Sequence, residues 1–260
     1  MKRIEIIVEG QAEVTFIKEV LAPYICMKHE YQCSVTPILI HLGQSGGRGG
    51  FVNYEHLRND VIKSLNSKDK NLIVTTFVDY FRIPQKHIPE RDIWKDEQNH
   101  HIQARMIEDA IARDIKDKRF IPYIQMHEFE ALLFSSKKGF ATYWSEKQVE
   151  KVQKVIELFT CPENINTNPT GAPSKRLLTI NQSYNKVVDG NVVALEVGIE
   201  TMLEACPKFR TWIRNNFTTS ANLKSEVKDA ELDPKKVYEM YYEFDEAESL
   251  FSKIDLEKDD

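Results

Sequence analysis

Four successive segments in the first half of the chain alternate between two hydrophobic patterns, and this alternation limits the fold more than any other feature. Each segment begins with a short apolar run, which is typical of a strand buried on both faces. Apolar residues at helical spacing follow each run. The predicted strands are 4–9, 35–42, 72–78 and 120–126. Because strands that alternate with helices form mostly parallel sheets, we predict an α/β fold with a mostly parallel four-stranded sheet flanked by helices.

Beyond residue 138 the hydrophobic spacing is helical almost throughout. The predicted helices there are 149–159, 175–184, 192–206, 209–217 and 237–251. We therefore divide the chain into an α/β domain of residues 1–138 and a helical C-terminal region of residues 139–260 that packs on it. Pro122 interrupts the fourth predicted strand, and proline cannot donate to a strand ladder, so an edge or strand-start position is expected for this segment rather than the centre of the sheet.

Composition and charge exclude some classes of protein. The net charge of −5 disfavours a module that scans DNA, whose surface is strongly basic. It does not disfavour a nuclease, because a cluster of metal-binding carboxylates is itself acidic. The N-terminal residues lead directly into the first strand, without a signal peptide or a membrane span, so we expect a cytoplasmic protein. In the cytoplasm cysteines are expected to be reduced thiols. The sequence has no CxxC motif among its four cysteines, which are Cys26, Cys33, Cys161 and Cys206.

Carboxylates stand where the predicted strands end. Glu9 ends the first strand, Asp79 follows the third, and Glu128 and Glu130 follow the fourth. The carboxyl ends of parallel strands share one edge of a sheet, so these side chains are expected to converge, and Glu13 can join them from the first turn of a helix. Converging carboxylates repel one another unless a cation lies between them, and their oxygens suit Mg²⁺ or Mn²⁺. The alternative is that single acids merely favour the positive ends of helices.

Four short motifs resemble those of the Toprim family. Ile-Ile-Val-Glu-Gly-Gln-Ala-Glu at 6–13 resembles the first Toprim signature, and its second acid is typical of the overcoming-lysogenization-defect (OLD) nucleases. Phe-Val-Asp-Tyr-Phe at 77–81 stands where Toprim proteins have Asp-x-Asp. The segments 126–134 and 172–177 are similar to motifs of RloB-like and related uncharacterised Toprim proteins.

This resemblance implies a metal-dependent nuclease that cuts DNA or RNA, including tRNA, with Mg²⁺ or Mn²⁺. It also implies a partner, an ABC- or AAA-type ATPase of the kind encoded beside such proteins in anti-phage defence loci. The implied metal ligands are Glu9, Glu13, Asp79 and Glu130, with Glu128 as the alternative to Glu130. Phe81 departs from the family pattern, because it replaces the second Asp of Asp-x-Asp.

Basic residues are candidates for contacts with phosphate. Lys175 and Arg176 follow a predicted helix start at 173–174, and the resemblance gives Lys175 the role of stabilising the transition state; the alternative is a solvated basic pair. Arg48 lies in the glycine-rich segment 43–50, which is either a phosphate-binding loop or a flexible connector. His127 is either a proton carrier or a hydrogen-bonding residue at a helix start.

The leading hypothesis is a Toprim-like endonuclease with Glu9 and Lys175 as catalytic residues. A second hypothesis is a catalytically inactive Toprim-like subunit of an ATPase complex, which the loss of an acid at Phe81 favours. A third is hydrolysis of small phosphodiesters on the same scaffold. His100 and His101 are expected to be exposed helix residues. The aromatic residues of 238–244 are interpreted as packing or as a partner surface.

Overall fold

A computed structural model describes residues 1–29, 32–41, 53–81, 83–165 and 170–217. Three predictions therefore lie outside the described residues: the loop 43–50 with Arg48, the helix 237–251 and the aromatic segment 238–244. Within the described ranges, no helix is both long enough and apolar enough to cross a membrane.

A parallel sheet forms the centre of the molecule, which confirms the predicted α/β class. Its strands run in the order β2-β1-β3-β4, and the last short strand, β5, also pairs with β3. The bounds are β1 (Lys2–Val8), β2 (Cys33–Leu39), β3 (Leu72–Asp79), β4 (Phe120–Ile121) and β5 (Ile124–Gln125). The sequence predicted one strand over 120–126. Two short strands form instead, because Pro122 lacks the N–H that a continuous ladder needs.

Helices cover both faces of the sheet. In the α/β part they are α1 (Gln11–Phe16), α2 (Ala22–Lys28), α3 (Tyr54–Leu65), α4 (Arg91–Trp94) and α5 (His100–Ile115). A π-helical segment, Ile17–Leu21, joins α1 to α2 just before Pro23. Proline has no N–H to donate to the preceding turn, which is a known reason for a helix to widen locally.

The rest of the described chain is helical. Two 3₁₀ helices, Phe129–Ser135 and Lys137–Phe140, lead from the sheet, and a third covers Pro162–Asn164. The α-helices are α6 (Glu146–Glu157), α7 (Pro173–Ile180), α8 (Asp189–Val197), α9 (Ile199–Ala205) and α10 (Pro207–Phe217). The single helix predicted over 192–206 is two helices, because Gly198 between them has φ 77°, a conformation that ends a helix.

Both faces of the sheet are buried, as the continuous apolar strands predicted. Ile7 and Val74 face a hydrophobic cluster formed with α3 and α5. Ile6 and Phe77 face a second cluster, which also takes in residues of the C-terminal helices. Trp212 of α10 belongs to this second cluster.

Trp212 joins α10 to the sheet. Its Nε1 donates a hydrogen bond to Thr75 Oγ1 at 3.1 Å, and its ring stacks on Tyr123 with the ring centroids 4.2 Å apart. The helical region is thus part of the core that covers one face of the sheet. The division into residues 1–138 and 139–260 stays a prediction.

Candidate metal and phosphate site

The acids at the strand ends lie together at the carboxyl edge of the sheet. Glu9 follows β1, and its Oε1 accepts a hydrogen bond of 2.7 Å from the backbone N–H of Asp79. Asp79 is the last residue of β3, and its Oδ1 accepts a hydrogen bond of 2.9 Å from the backbone N–H of Phe129. Asp79 therefore connects the end of β1 to the segment that follows β5.

Glu13 reaches the same edge from the first turn of α1. Its side chain is buried, and a Cβ atom added to Gly10 would lie only 2.6 Å from Glu13 Oε2. The glycine after Glu9 thus leaves room for the Glu13 carboxylate. This gives a physical reason for the Glu-Gly pair in the first motif, since any larger residue at position 10 would have to push the carboxylate away.

The two acids of the segment 126–134 have different partners. The Glu130 side chain is fully buried and faces Asp79 and Glu13 across a shared lysine. Glu128 is half-buried, and its Oε2 accepts a hydrogen bond of 2.9 Å from the backbone N–H of Ser174 at the start of α7. Glu130 is thus the member of the pair that joins the acidic cluster, while Glu128 fixes the start of α7 at its side.

Lys186 supplies the positive charge of the site. Its Nζ lies 2.9 Å from Glu13 Oε1, 3.2 Å from Glu130 Oε2 and 3.5 Å from Asp79 Oδ2. Sequence reasoning missed this residue, because it lies in none of the recognised motifs and in no helix or strand. Converging acids indicate that a cation lies between them. The sequence does not show which lysine supplies it.

Burial and mutual repulsion shift the pKa values of this cluster. Burial raises the pKa of Asp79 well above its ordinary value, and the charges of Glu9, Glu13 and Glu130 add to the rise while Lys186 opposes it. Burial likewise raises the pKa of Glu130 to about 7, again against the effect of Lys186. Such shifts are typical of functional sites and of structural ion-pair networks alike.

The pKa of Lys186 moves in the opposite sense to that of an isolated buried lysine. Burial lowers it, but the nearby carboxylates of Asp79, Glu130 and Glu13 outweigh burial and raise the pKa well above its ordinary value. Lys186 is therefore a permanent cation at neutral pH.

Two of the predicted basic residues, Lys175 and Arg176, lie on α7. Lys175 is exposed on α7. Arg176 is buried, where its Nε donates to the carbonyl of Gly171 at 2.7 Å and its guanidinium lies over the ring of Phe159 at 5.0 Å. Arg176 thus packs in the interior rather than at the surface of α7. Their contacts with phosphate stay predictions.

Three histidines and Tyr80 form a group beside the acids. His127 is buried, has a left-handed φ of 58°, and its carbonyl accepts a hydrogen bond of 2.9 Å from the N–H of Phe81. Burial and the neighbouring His101 and His100 lower the pKa of His127 well below its ordinary value, so the ring is neutral at pH 7. The lowered pKa of His127 disfavours it as a proton carrier near pH 7.

The two histidines at the start of α5 differ from each other. His100 is exposed, as expected. His101 is half-buried, its Nε2 lies 2.8 Å from Asn164 Oδ1, and burial lowers its pKa to about 4. The expectation that both are exposed was thus wrong for His101, because 162–164 covers the start of α5.

The carboxylate set suits a hard cation in its chemistry. Two buried oxygens close to Lys186, Glu130 Oε1 and Tyr184 Oη, have no hydrogen-bond partner among the described residues. An unpaired buried carboxylate oxygen is what a metal ion would satisfy. In the described parts of the chain, however, no three Asp, Glu, His or Cys side chains are placed to share one metal ion. The residues fit Mg²⁺ or Mn²⁺ as ligands, while their present orientations surround an ammonium group.

Comparison with known proteins identifies the family of this chain. The profile described as "Domain of unknown function (DUF4276)" matches residues 8–215, which include every acid of the site. The chain belongs to the DUF4276 family. A search of curated proteins finds no match for this DUF4276 chain.

The DUF4276 chain is also similar to two solved C-terminal regions of OLD proteins. That of Xanthomonas campestris pv. campestris is 12% identical with a TM-score of 0.36, and the match covers 87% of this chain and 99% of that one. That of Burkholderia pseudomallei is 16% identical with a TM-score of 0.38, and the match covers 82% and 99%. These values are low, so the argument about function rests on the residues of the site.

Proposed function

We propose that this protein is a divalent-metal-dependent nuclease that hydrolyses phosphodiester bonds of DNA or RNA. The observation that carries the proposal is the group of three buried carboxylates, from three separate elements at the strand ends, around one cation. Burial of several acids at one place costs free energy of folding, and such a cost is typical of functional sites. Binding of a metal ion at the carboxyl edge of a parallel sheet is one such function. The four Toprim-like motifs support the same proposal.

Each residue of the site has a role in this proposal. Glu13, Asp79 and Glu130 would hold Mg²⁺ or Mn²⁺, which when bound polarises a phosphate and lowers the pKa of water. Glu9, which is half-buried at the edge of the sheet, would accept the proton of the attacking water. The ammonium of Lys186 stabilises the charge that develops on the phosphate, the role that the motifs had suggested for Lys175.

The substrate and the partner are also part of the proposal. A nucleic-acid strand would lie along the carboxyl edge of the sheet, with the exposed Lys175 as a contact to its phosphates. We propose that the protein acts in the cytoplasm as the effector of an ATPase-controlled anti-phage defence system, which rests on the resemblance of the motifs alone.

A cleavage assay tests the activity. The purified protein is incubated with plasmid, single-stranded DNA and total tRNA, in Mg²⁺, Mn²⁺ or EDTA. We expect cutting only with metal, and a loss of at least about a hundredfold in Glu9→Gln and Asp79→Asn, which remove a charge without changing the shape of the side chain. The matched control is Glu146→Gln, an exposed acid at the start of α6, which should cut as the unchanged protein does.

Two results would contradict this assignment. If Glu9→Gln and Asp79→Asn cut as fast as the unchanged protein, the activity belongs to another site. If no metal gives cutting, even with the proposed ATPase partner present, the nuclease proposal fails.

The second candidate is a catalytically inactive subunit of an ATPase complex. Two observations favour it: Phe81 stands in place of the second acid, and Lys186 already supplies a positive charge between the three acids. This candidate predicts that the protein copurifies with the ATPase and that Glu9→Gln leaves the complex and its biological effect unchanged. A loss of the effect in Glu9→Gln, with the complex intact, would exclude it.

A further inference from the structure

Lys186 and a divalent metal ion compete for the same oxygens. The ammonium contacts Glu13 Oε1, Asp79 Oδ2 and Glu130 Oε2 at 2.9, 3.5 and 3.2 Å. A magnesium ion binds its oxygen ligands at about 2.1 Å, so an ion that used these oxygens would stand in or beside the volume that Nζ occupies. Two cations in contact with the same oxygens repel strongly in a buried site, where water screens little.

The side chain of Lys186 has a way out of the cluster. It keeps 36% of its surface exposed, whereas the side chains of Glu13, Asp79 and Glu130 keep 2%, 10% and 0%. The ammonium thus enters the cluster from the surface, on a long stem with several rotatable bonds.

The backbone that carries Lys186 is held in place independently of the acids. Asn185 Oδ1 accepts hydrogen bonds from the N–H groups of Val187 at 3.0 Å and Val188 at 3.1 Å, and the N–H of Asn185 donates to Asp189 Oδ2 at 2.8 Å. A rotation of the lysine side chain can therefore remove the ammonium from the carboxylates without rebuilding the segment between α7 and α8.

We propose that Lys186 is a built-in cation that closes the acidic cluster when no metal is bound, and that metal binding requires its ammonium to swing outward, to the side from which a phosphate approaches. The protein then has two states, a closed one stabilised by the lysine and an open one stabilised by the metal. This inference rests on the proposed metal site and adds its regulation: the lysine lowers the affinity for metal and keeps the fold stable without it.

The affinity for Mn²⁺ tests the competition directly. Isothermal titration calorimetry at a fixed neutral pH compares the unchanged protein with Lys186→Met, which keeps much of the stem but has no charge. We expect the dissociation constant for Mn²⁺ to fall at least about tenfold in the variant, because the metal no longer has to displace a cation. The control is Lys175→Met on the exposed face of α7, which should bind Mn²⁺ as the unchanged protein does.

A second measurement needs no variant, and so it stands even if Lys186→Met folds poorly. The unchanged protein is acetylated at its lysines with and without Mn²⁺, and the rates at single residues are read by mass spectrometry. We expect Lys186 to react slowly without metal and several times faster with saturating Mn²⁺, because a lysine that is held by carboxylates is a poor nucleophile. Lys175 serves as the internal reference, with the same rate in both conditions.

The outcomes separate this inference from the proposed function. Equal or weaker binding of Mn²⁺ by Lys186→Met, or a Lys186 acetylation rate that Mn²⁺ leaves unchanged, overturns the competition and leaves the nuclease proposal to the cleavage assay. Binding by the variant and not by the unchanged protein supports the inference in its strongest form. Absence of binding in both, detected by calorimetry, overturns the inference together with the metal dependence of the proposed function.

Discussion

Glu130 shows how burial and charge oppose each other at a single residue. Its side chain is fully buried, and among the described residues its carboxylate meets one cation, Lys186, which three acids share. A buried acid in this position binds a proton more readily in the folded chain than in the unfolded chain, which explains why its pKa rises from an ordinary 4.5 to about 7. The pKa of this one residue therefore couples the stability of the fold to pH.

The free energy of unfolding should depend on pH through Glu130. A carboxyl group whose pKa is raised in the folded state contributes stability that is fully present below its unfolded pKa and is lost as pH rises through its folded pKa. The window here runs from 4.5 to about 7. We expect the stability of the unchanged protein, relative to Glu130→Gln, to fall by on the order of 2 kcal/mol across this window in EDTA.

Urea unfolding at a series of pH values measures this difference. Glu146→Gln on the surface serves as the control, and its stability should follow that of the unchanged protein at every pH. A constant difference between the unchanged protein and Glu130→Gln from pH 4.5 to 7 would show that Glu130 has an ordinary pKa.

Residues differ in how far their roles could be predicted from the sequence. Glu9 and Asp79 could be placed, because apolar strands have a clear pattern and the ends of parallel strands lie at one edge. Lys186 could not, since it lies outside helices and strands and meets the acids only through the packing of α7 and α8. His101 was taken as exposed, because a helical pattern does not reveal a later segment that covers the helix start.

Among the elements, α10 owes its position to one buried acid. Glu163 Oε2 accepts a hydrogen bond from the N–H of Lys208 and Glu163 Oε1 accepts one from the N–H of Phe209, both at 2.9 Å. These N–H groups belong to the first turn of α10, which has no partners for them within the helix. The helix that carries Trp212 to the sheet is thus fixed at its start by a residue from the 3₁₀ helix Pro162–Asn164.

Glu163→Ala should loosen this attachment. The change leaves two buried N–H groups without their acceptor, so we expect the free energy of unfolding to fall by about 2–4 kcal/mol. Denaturant unfolding at pH 7 gives the value, and Glu204→Ala on the exposed side of α9 should change it by less than about 0.5 kcal/mol. Similar effects of the two substitutions would mean that Glu163 does not hold α10.

The strands and helices were easier to predict from the sequence than the points at which they break. The apolar runs predicted β1 and β3 to within a few residues of their observed bounds, because each strand is one continuous run. The break of the fourth strand at Pro122 and the break between α8 and α9 at Gly198 depend on backbone geometry, which a hydrophobic pattern does not record.

At the scale of the whole molecule, one hydrophobic cluster joins the sheet to the helices that follow it. Phe16 of α1 lies 6.5 Å from Phe209 of α10, and Phe77 of β3 lies 5.8 Å from Trp212, measured between ring centroids. The predicted α/β domain thus has aromatic residues whose partners come from beyond residue 138. The core on this face of the sheet needs both parts of the chain.

A fragment of residues 1–138 should therefore not fold on its own. Without α10 the apolar face of the sheet is open to water, and we expect no cooperative unfolding transition and little near-ultraviolet circular dichroism. A fragment of residues 1–217 is the matched control, and its near- and far-ultraviolet signals should be lost in one coincident transition. A cooperative transition of the shorter fragment would establish the α/β part as an independent domain.

The position of Lys186 also bears on how such proteins can be recombined. The acids come from β1, α1, β3 and the segment after β5, whereas their counter-charge comes from the connection between α7 and α8, 56 positions after Glu130. A chimera that takes only the sheet from this chain would inherit buried negative charges and leave behind the lysine that lies between them. Successful grafts of this site onto a related scaffold should therefore carry the connection 181–188 along with the strands.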